Sequence, residues 1–304
     1  MNVVSLLPSA TEIVYALGVE PVGVSHECDY PPAANEKPAV NRSSVNPDAS
    51  STEINEQVAR AEQEGGVYEI DRDTLAMLDP DLVISQGICD VCAVDEVSVR
   101  KAVDDLGLGA AVLTTDPHSL ADIIADIERI GDALGHSERA VELVADLERR
   151  IDAVERGAGA TEERPRTAVL DWLDPVMVAG HWIPGMVDLA GGRYGLAERG
   201  ARSCPREWET IRSYDPEVLV LSPCGFDIEQ TTENLADVTE REGWDDLTAV
   251  QREEVYVVDG HHYVNRPGPR LVDTLEFLAW ILHPERFDPP PSTAVRPLSA
   301  LETI

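Results

Sequence analysis

The chain has 304 residues, with 57 acidic side chains against 24 basic ones and a formal net charge of −33. That length accommodates two domains with separate cores, and a hydrophobic content of 43% excludes wholesale disorder. The charge excludes nucleic acid as a partner, because phosphate would be repelled. Carboxylates are scattered along the whole chain and lysine is confined to Lys37 and Lys101, so the acidic surface reads as a halophilic adaptation that holds water and salt.

In chain order, Val3 to Leu7 is an apolar strand, and Pro8-Ser9-Ala10-Thr11-Glu12 reads as a helix start with Ser9 as N-cap and Glu12 closing a capping box. Gly18 ends that helix, Val22 to Ser25 is a second strand, and residues 31–50, rich in Pro, Asn and Ser, read as loop. Leu82 to Ser85 and Ala111 to Thr114 are further short apolar strands with helical segments between them. Residues 119–134 and 137–156 carry helical periodicity, the second with Ala140, Leu143, Val144, Leu147, Ile151 and Val154 on one face. The pattern restarts after a linker-like stretch at 157–165. Strands are expected at Thr167 to Leu170, Val218 to Leu221 and Val255 to Val258, with helices at Pro184 to Ala190 and, amphipathic, at 269–282. Strands alternating with helices predict an α/β fold of two lobes with mainly parallel sheets. The expected organisation is an N-terminal lobe over 1–136, a single long backbone helix over 137–157, a C-terminal lobe over 158–288, and a loose, proline-led tail over 289–304.

One internal repeat is visible. Asp73 to Ile84 parallels Glu209 to Val220 at a constant offset of 136 residues. In each copy an acidic residue opens a helix, the helix stops at Asp-Pro (Asp79-Pro80, Asp215-Pro216), and a buried strand follows another acid. The two halves read as versions of one unit facing each other across a cleft.

Leu6-Leu7-Pro8-Ser9-Ala10-Thr11-Glu12-Ile13, Leu17-Gly18, Pro21-Val22-Gly23-Val24-Ser25 and Asp29-Tyr30-Pro31-Pro32, followed by Asp79-Pro80-Asp81-Leu82-Val83-Ile84 and Pro269-Arg270, resemble the landmarks of the cobalamin-binding proteins of ABC importers over residues 1–288. The resemblance implies the class III periplasmic binding protein fold, shared with siderophore- and haem-binding relatives, in which two Rossmann-like lobes joined by a single long helix hold a large, flat, metal-containing ligand. It also implies an ABC importer permease as partner, docked through one acidic residue on each lobe. Asp73 and Glu209 stand at the matching places; as acids in the first turn of a helix they are also favourable against its dipole.

The residues able to carry chemistry follow the strands. A corrin ring, with its broad apolar face and amide-bearing edge, suits aromatic walls from Tyr30, Trp172, Trp182, Phe226 and Tyr263, with Gln86 and Arg266 bonding the peripheral amides. Pro8 and Ser9, Cys89 and Cys92, His181, Cys224 and His262 complete the candidate ligand contacts. Cys89-Asp90-Val91-Cys92 with Cys224, His181 and His261 admits a soft-metal site such as zinc, a redox dithiol, or a plain polar lining. Trp280 reads as core. The five cysteines predict no disulfide framework.

No catalytic set emerges. Gly191-Gly192 follows a helix where a phosphate loop would precede one, no nucleophile elbow occurs, and His261 and His262 have no paired nucleophile. The function expected is therefore binding of cobalamin or a related corrinoid as the substrate-binding component of an ABC-type uptake system, without a covalent cofactor. The alternatives are a cytoplasmic corrinoid or haem carrier and a Cys/His metal-binding protein, either metallochaperone or enzyme. No transmembrane span is expected. With the first strand directly after Met1-Asn2 and no basic segment or lipid-attachment cysteine before it, the sequence as it stands predicts a cytoplasmic location, and an extracytoplasmic one if translation starts upstream.

Overall fold

A computed structural model describes residues 1–64, 66–88, 94, 96–159 and 163–301. The chain folds as two α/β units, one comprising Met1–Pro47, Glu56–Pro117 and Ala121–Asp146, the other Asp48–Asn55, His118–Leu120 and Leu147–Ile304.

The first unit contains β1 (Val3–Ser5), α1 (Pro8–Ala16), β2 (Gly23–Val24), β3 (Asn41–Ser43), most of α2 (Ser51–Glu64), β4 (Tyr68–Ile70), α3 (Arg72–Leu78), β5 (Leu82–Gln86), α4 (Glu96–Asp105), β6 (Ala111–Thr115), α5 (Leu120–Leu134) and the first part of α6 (Ser137–Ala158). Its main sheet has the order β2-β1-β5-β6, parallel throughout, with Val3 opposite Leu82 and Leu82 opposite Ala111. Every residue of β1 and β5 is buried, because helices cover both faces of a parallel sheet. Val4, Leu6, Val83, Val99 and Val103 form the core on one of them.

Two expectations are corrected in this unit. Ser9 does not cap α1: Leu7 holds the N-cap, Pro8 takes the first helical turn, where its missing N–H costs nothing, and Ser9 and Glu12 are buried within the helix. Residues 31–50 are not all loop, since Pro32–Glu36 forms a 3₁₀ turn and β3 pairs antiparallel with β4.

The helix α6 has 22 residues, about 33 Å at 1.5 Å per residue. It belongs to the first unit up to Asp146 and to the second from Leu147. In the second unit Arg150 fixes it to the last helix, donating to Asp273 and, from Nε at 2.8 Å and Nη2 at 2.6 Å, to Glu276.

The second unit continues with β7 (Thr167–Trp172), β8 (Met177–Val178), α7 (Ile183–Leu189), β9 (Cys204–Pro205), α8 (Trp208–Tyr214), β10 (Val218–Leu221), α9 (Ile228–Glu233), α10 (Ala236–Thr239), α11 (Thr248–Gln251), β11 (Val255–Val258), α12 (Leu271–Leu282) and β12 (Val295–Pro297). The sheet order is β12-β11-β10-β7-β8-β9. The central β11, β10 and β7 are parallel, and the flanking β12, β8 and β9 are antiparallel. Leu170, Ile211, Leu219, Trp244 and Val257 anchor the core.

Here too the structure departs from expectation. The segment 269–282, expected as an amphipathic helix, does form a helix, but α12 is buried around most of its circumference. Residues 289–301 are not a loose tail: Val258 pairs with Val295 and Tyr256 with Pro297, and Leu298 joins the core. Trp280 is half-buried, edge-on to Tyr256 at 6.0 Å, rather than enclosed.

The internal repeat has a physical basis. The helices α3 and α8 have seven residues each and end on an aspartate in the left-handed region, Asp79 at φ 42° and Asp215 at φ 47°, immediately before proline. The residue ahead of each unit's first central strand grips this corner identically. Asn2 Nδ2 donates to Asp79 O at 3.1 Å and Arg166 Nε to Asp215 O at 2.9 Å. The backbone N–H of Asn2 donates to Asp81 Oδ2 at 2.6 Å, and that of Arg166 to Glu217 Oε2 at 3.1 Å. The acid after each Asp-Pro thus satisfies a strand-end N–H that would otherwise lack a partner.

Candidate functional site at the carboxyl ends of the strands

In open α/β sheets, ligands bind outside the carboxyl ends of parallel strands, where loops rather than ladders set the side chains. In the second unit the three loops after β7, β10 and β11 are tied into one platform by backbone bonds. Ser222 N–H donates to Leu170 O at 2.9 Å and Cys224 N–H to Asp171 O at 3.0 Å. Gly260 N–H and His261 N–H both donate to Phe226 O at 3.0 Å. A Cβ on Gly260 would lie 2.2 Å from Pro223 O, so only glycine lets the third loop approach the second this closely.

This platform carries most of the aromatic and polar residues expected at a ligand site. Trp172 packs against Phe226 with ring centroids 5.2 Å apart, and its Nε1 donates to Asp174 O at 3.1 Å. Trp182 Nε1 donates to Val264 O at 3.0 Å, which fastens the start of α7 to the loop after β11. Tyr263 stands edge-on to Phe277 at 5.1 Å, with the Arg270 guanidinium 5.4 Å from its centroid. Phe226, at 1% exposure, is a core ring that backs Trp172, so its expected role as a wall is corrected to one of support.

The loop after β11 is a wide π-helical turn over Gly260–Val264, a geometry enriched at functional sites. Asp259 caps it: its Oδ1 accepts the His262 N–H at 2.7 Å, and its Oδ2 lies 2.7 Å from His262 Nδ1. The rings of His261 and His262 meet edge-on at 4.5 Å. The buried Arg266 lies against the first of them, its Nη2 donating to His261 Nε2 at 3.0 Å. His181 holds a left-handed backbone, φ 51°, between the rings of His118 at 5.6 Å and Trp182 at 5.5 Å.

Among the described residues Asp171, one residue before Trp172 in β7, lacks a partner for Oδ1, and the neighbouring Ser222 Oγ is likewise buried without one. Burial pushes the Asp171 carboxyl up to about 6, partly offset by a hydrogen bond from Ser203.

In the first unit the expected residues also fall at strand ends. Pro8 and Ser9 open α1 after β1, and Gln86 closes β5 in a buried position. Tyr30, at 45% exposure, lies in the segment after β2. In the same unit Cys28 is a core residue, its Sγ 3.1 Å from Thr11 Oγ1, whose hydroxyl donates to Ser5. Asp73 and Glu209 are exposed at equivalent positions in the first turns of α3 and α8; Glu209 pairs with Arg212 at 2.9 Å.

The expected metal set does not assemble among the described residues, for Cys224, His181 and His261 do not bring their ligand atoms within 4.8 Å of one another. Cys89 and Cys92 lie outside the described residues. A surface hollow of about 440 Å³ in the second unit, lined by Asp48, Asp227, Glu229, Glu233 and Asn234 among others, contains none of the expected ligand residues. Asp171 and Asp259 were not among the sequence candidates. Their signal was an acid at the end of an apolar run, Thr167 to Trp172 in one case and directly after Val255 to Val258 in the other.

The chain is similar to known proteins over most of its length. An uncharacterized ABC transporter substrate-binding lipoprotein of Bacillus subtilis, YvrC, is 26% identical over 94% of this chain and 81% of its own length. A vitamin B12-binding protein of Vibrio cholerae is 24% identical over 90% of this chain and 86% of its own. Among solved structures, a periplasmic heme-binding protein from Pseudomonas aeruginosa superimposes with a TM-score of 0.71 at 19% identity, covering 97% of this chain and 96% of that one. That likeness is one of fold. No helix of the described residues is long and apolar enough to cross a membrane. The family model described as periplasmic binding protein matches residues 3–261, so this chain belongs to the periplasmic binding protein family.

Proposed function

We propose that this protein is the ligand-capturing component of an ABC-type importer, working outside the cytoplasm, and that its cargo is cobalamin or a related corrinoid. The observation that carries the proposal is the platform at the ends of β7, β10 and β11, whose loops are locked by backbone bonds: Trp172 closes β7 against Phe226, Trp182 is bonded to the loop after β11, and Tyr263, His262 and Arg266 lie on that loop. Flat aromatic groups with a few directed polar ones suit a broad apolar ring with hydrogen-bonding edges. The relatives named for vitamin B12 and for ABC substrate binding support the same reading. Binding requires no chemical step, and Asp73 and Glu209, exposed on matching helices, supply the pair of acids with which such a protein docks on its permease.

Haem is the second reading, favoured by the histidines on the loop after β11, since iron accepts an imidazole ligand. Titration with cyanocobalamin, hemin and zinc, followed by tryptophan fluorescence and calorimetry, separates these readings. Saturable one-to-one quenching by cyanocobalamin is expected. Binding of hemin alone moves the assignment to haem, and binding of zinc alone to a metal-carrier role.

A further inference from the structure

The strand β6 is the last in the main sheet of the first unit, and among the described residues only its β5 side is paired. Its odd-numbered residues face that side: Ala111 N–H donates to Asp81 O at 2.9 Å, and Thr115 O accepts from Gly87 N–H at 2.8 Å. Successive residues of a strand alternate in the direction of their backbone bonds, so the N–H and C=O of Val112 and Thr114 point away from the sheet. An open edge of five residues, Ala111 to Thr115, rich in β-branched side chains, is a template for another strand. It is also self-complementary. Where two copies meet antiparallel about Leu113, Val112 of each stands opposite Thr114 of the other, and each of these pairs can exchange both of its backbone bonds.

Two arginines stand over this edge. Arg100, on the helix before the strand, donates from Nη2 to Val112 O at 3.5 Å, and Arg129, on the helix after it, donates from Nη2 to Thr114 O at 2.9 Å. Each is aimed by an acid one turn earlier on its own helix. Glu96 Oε1 accepts from Arg100 Nε at 2.5 Å, and Asp126 Oδ1 accepts from Arg129 Nη1 at 2.5 Å. Asp126 is buried, so Arg129 hangs from a fixed anchor while its own side chain stays exposed. Both outward carbonyls of β6 are thereby occupied. As exposed ion pairs the two arginines add little to stability. As caps they deny an incoming strand the acceptors that it needs. The net charge of −33 also keeps copies apart, but concentrated salt screens that repulsion, and only a local device still protects the edge there.

We propose that Arg100 and Arg129 hold the β6 edge shut against a second copy of this chain, and that without them two copies join through β6 into one continuous sheet. The test is sedimentation of the whole protein in about 2 M KCl, where the charge is screened. Wild type should stay monomeric up to roughly 100 μM. The variant carries Arg100→Ala and Arg129→Ala together with Asp126→Asn, so that no buried carboxylate is left without its cation. Its mass should double with rising concentration, with a dimer at least about tenfold tighter than any that wild type forms. Adding Thr114→Pro removes an outward N–H without touching the bonds to β5, and should return the variant to monomer. A second version, with Arg100→Met and Arg129→Met beside Asp126→Asn, keeps the apolar stems and should dimerise like the first. Variants that stay monomeric, a dimer that Thr114→Pro leaves intact, or a wild type that already dimerises would overturn the proposal. So would loss of folding in both versions, because the arginines would then be structural.

Discussion

Asp171 offers the sharpest test of how the second unit is built. Its carboxyl sits near the end of a strand buried at every residue, with Oδ1 unpartnered among the described residues, and burial raises it from an ordinary 3.8 to about 6. The folded protein therefore holds this proton more tightly than the unfolded chain, and stability falls as pH rises through the window from about 4 to about 6, levelling off above it. A shift of roughly two units at 1.36 kcal/mol each costs about 3 kcal/mol at pH 8, of which about half is incurred between pH 5 and pH 8. Asp171→Asn keeps the shape and removes the charge. Urea denaturation at constant high KCl should find the variant more stable than wild type at pH 8, with an advantage about 1–1.5 kcal/mol larger than at pH 5. A difference that does not change with pH, or that shrinks as pH rises, refutes the reasoning.

Other consequences are as direct. Gly260→Ala places a methyl group 2.2 Å from Pro223 O and should cost about 1–3 kcal/mol, read as a lower Tm together with weakened ligand binding; an unchanged Tm contradicts the close approach. Arg150→Met leaves Asp273 and Glu276 beside each other without their shared cation; because all three are partly exposed, a loss of only about 1–2 kcal/mol is expected, smaller in high salt. With a net charge of −33, thermal stability should climb as KCl is raised from about 0.1 M to about 2 M, where the screening length falls to about 3 Å or less; a flat or falling curve would mean that self-repulsion is not the dominant strain. Trp172→Ala should weaken cyanocobalamin binding by about 1–3 kcal/mol in calorimetry, and unchanged affinity would remove that ring from the contact surface.

The central strands were legible because burial on both faces demands continuous apolar runs, as in Val218 to Leu221, and because Asp-Pro stops a helix wherever it falls. The repeat could be read for the same reason, although its cause, the grip of Asn2 and Arg166 on the two corners, involves partners far apart in sequence. Aromatic residues on loops after strands pointed to the platform, but not to which rings face outward. Phe226 lies on a loop and Trp172 ends β7, and both are buried, at 1% and 8% exposure, so it is packing that decides which of the two can meet a ligand. The strand β12 stayed hidden because a run of only three residues after the prolines, Val295–Pro297, has no periodicity of its own and is strand only by pairing with β11. Asp259 was missed because its importance depends on a wide turn that returns His262 to it.

Hydrogen–deuterium exchange with and without a saturating cobalamin tests the central claim most directly, because it locates the contact as well as detecting it. The backbone amides of residues 172–182, 222–226 and 259–266 should exchange more slowly in the complex, while the amino ends of β7, β10 and β11 remain unchanged. Protection at those amino ends alone, or a bound cobalamin that protects none of the three loops, would contradict it.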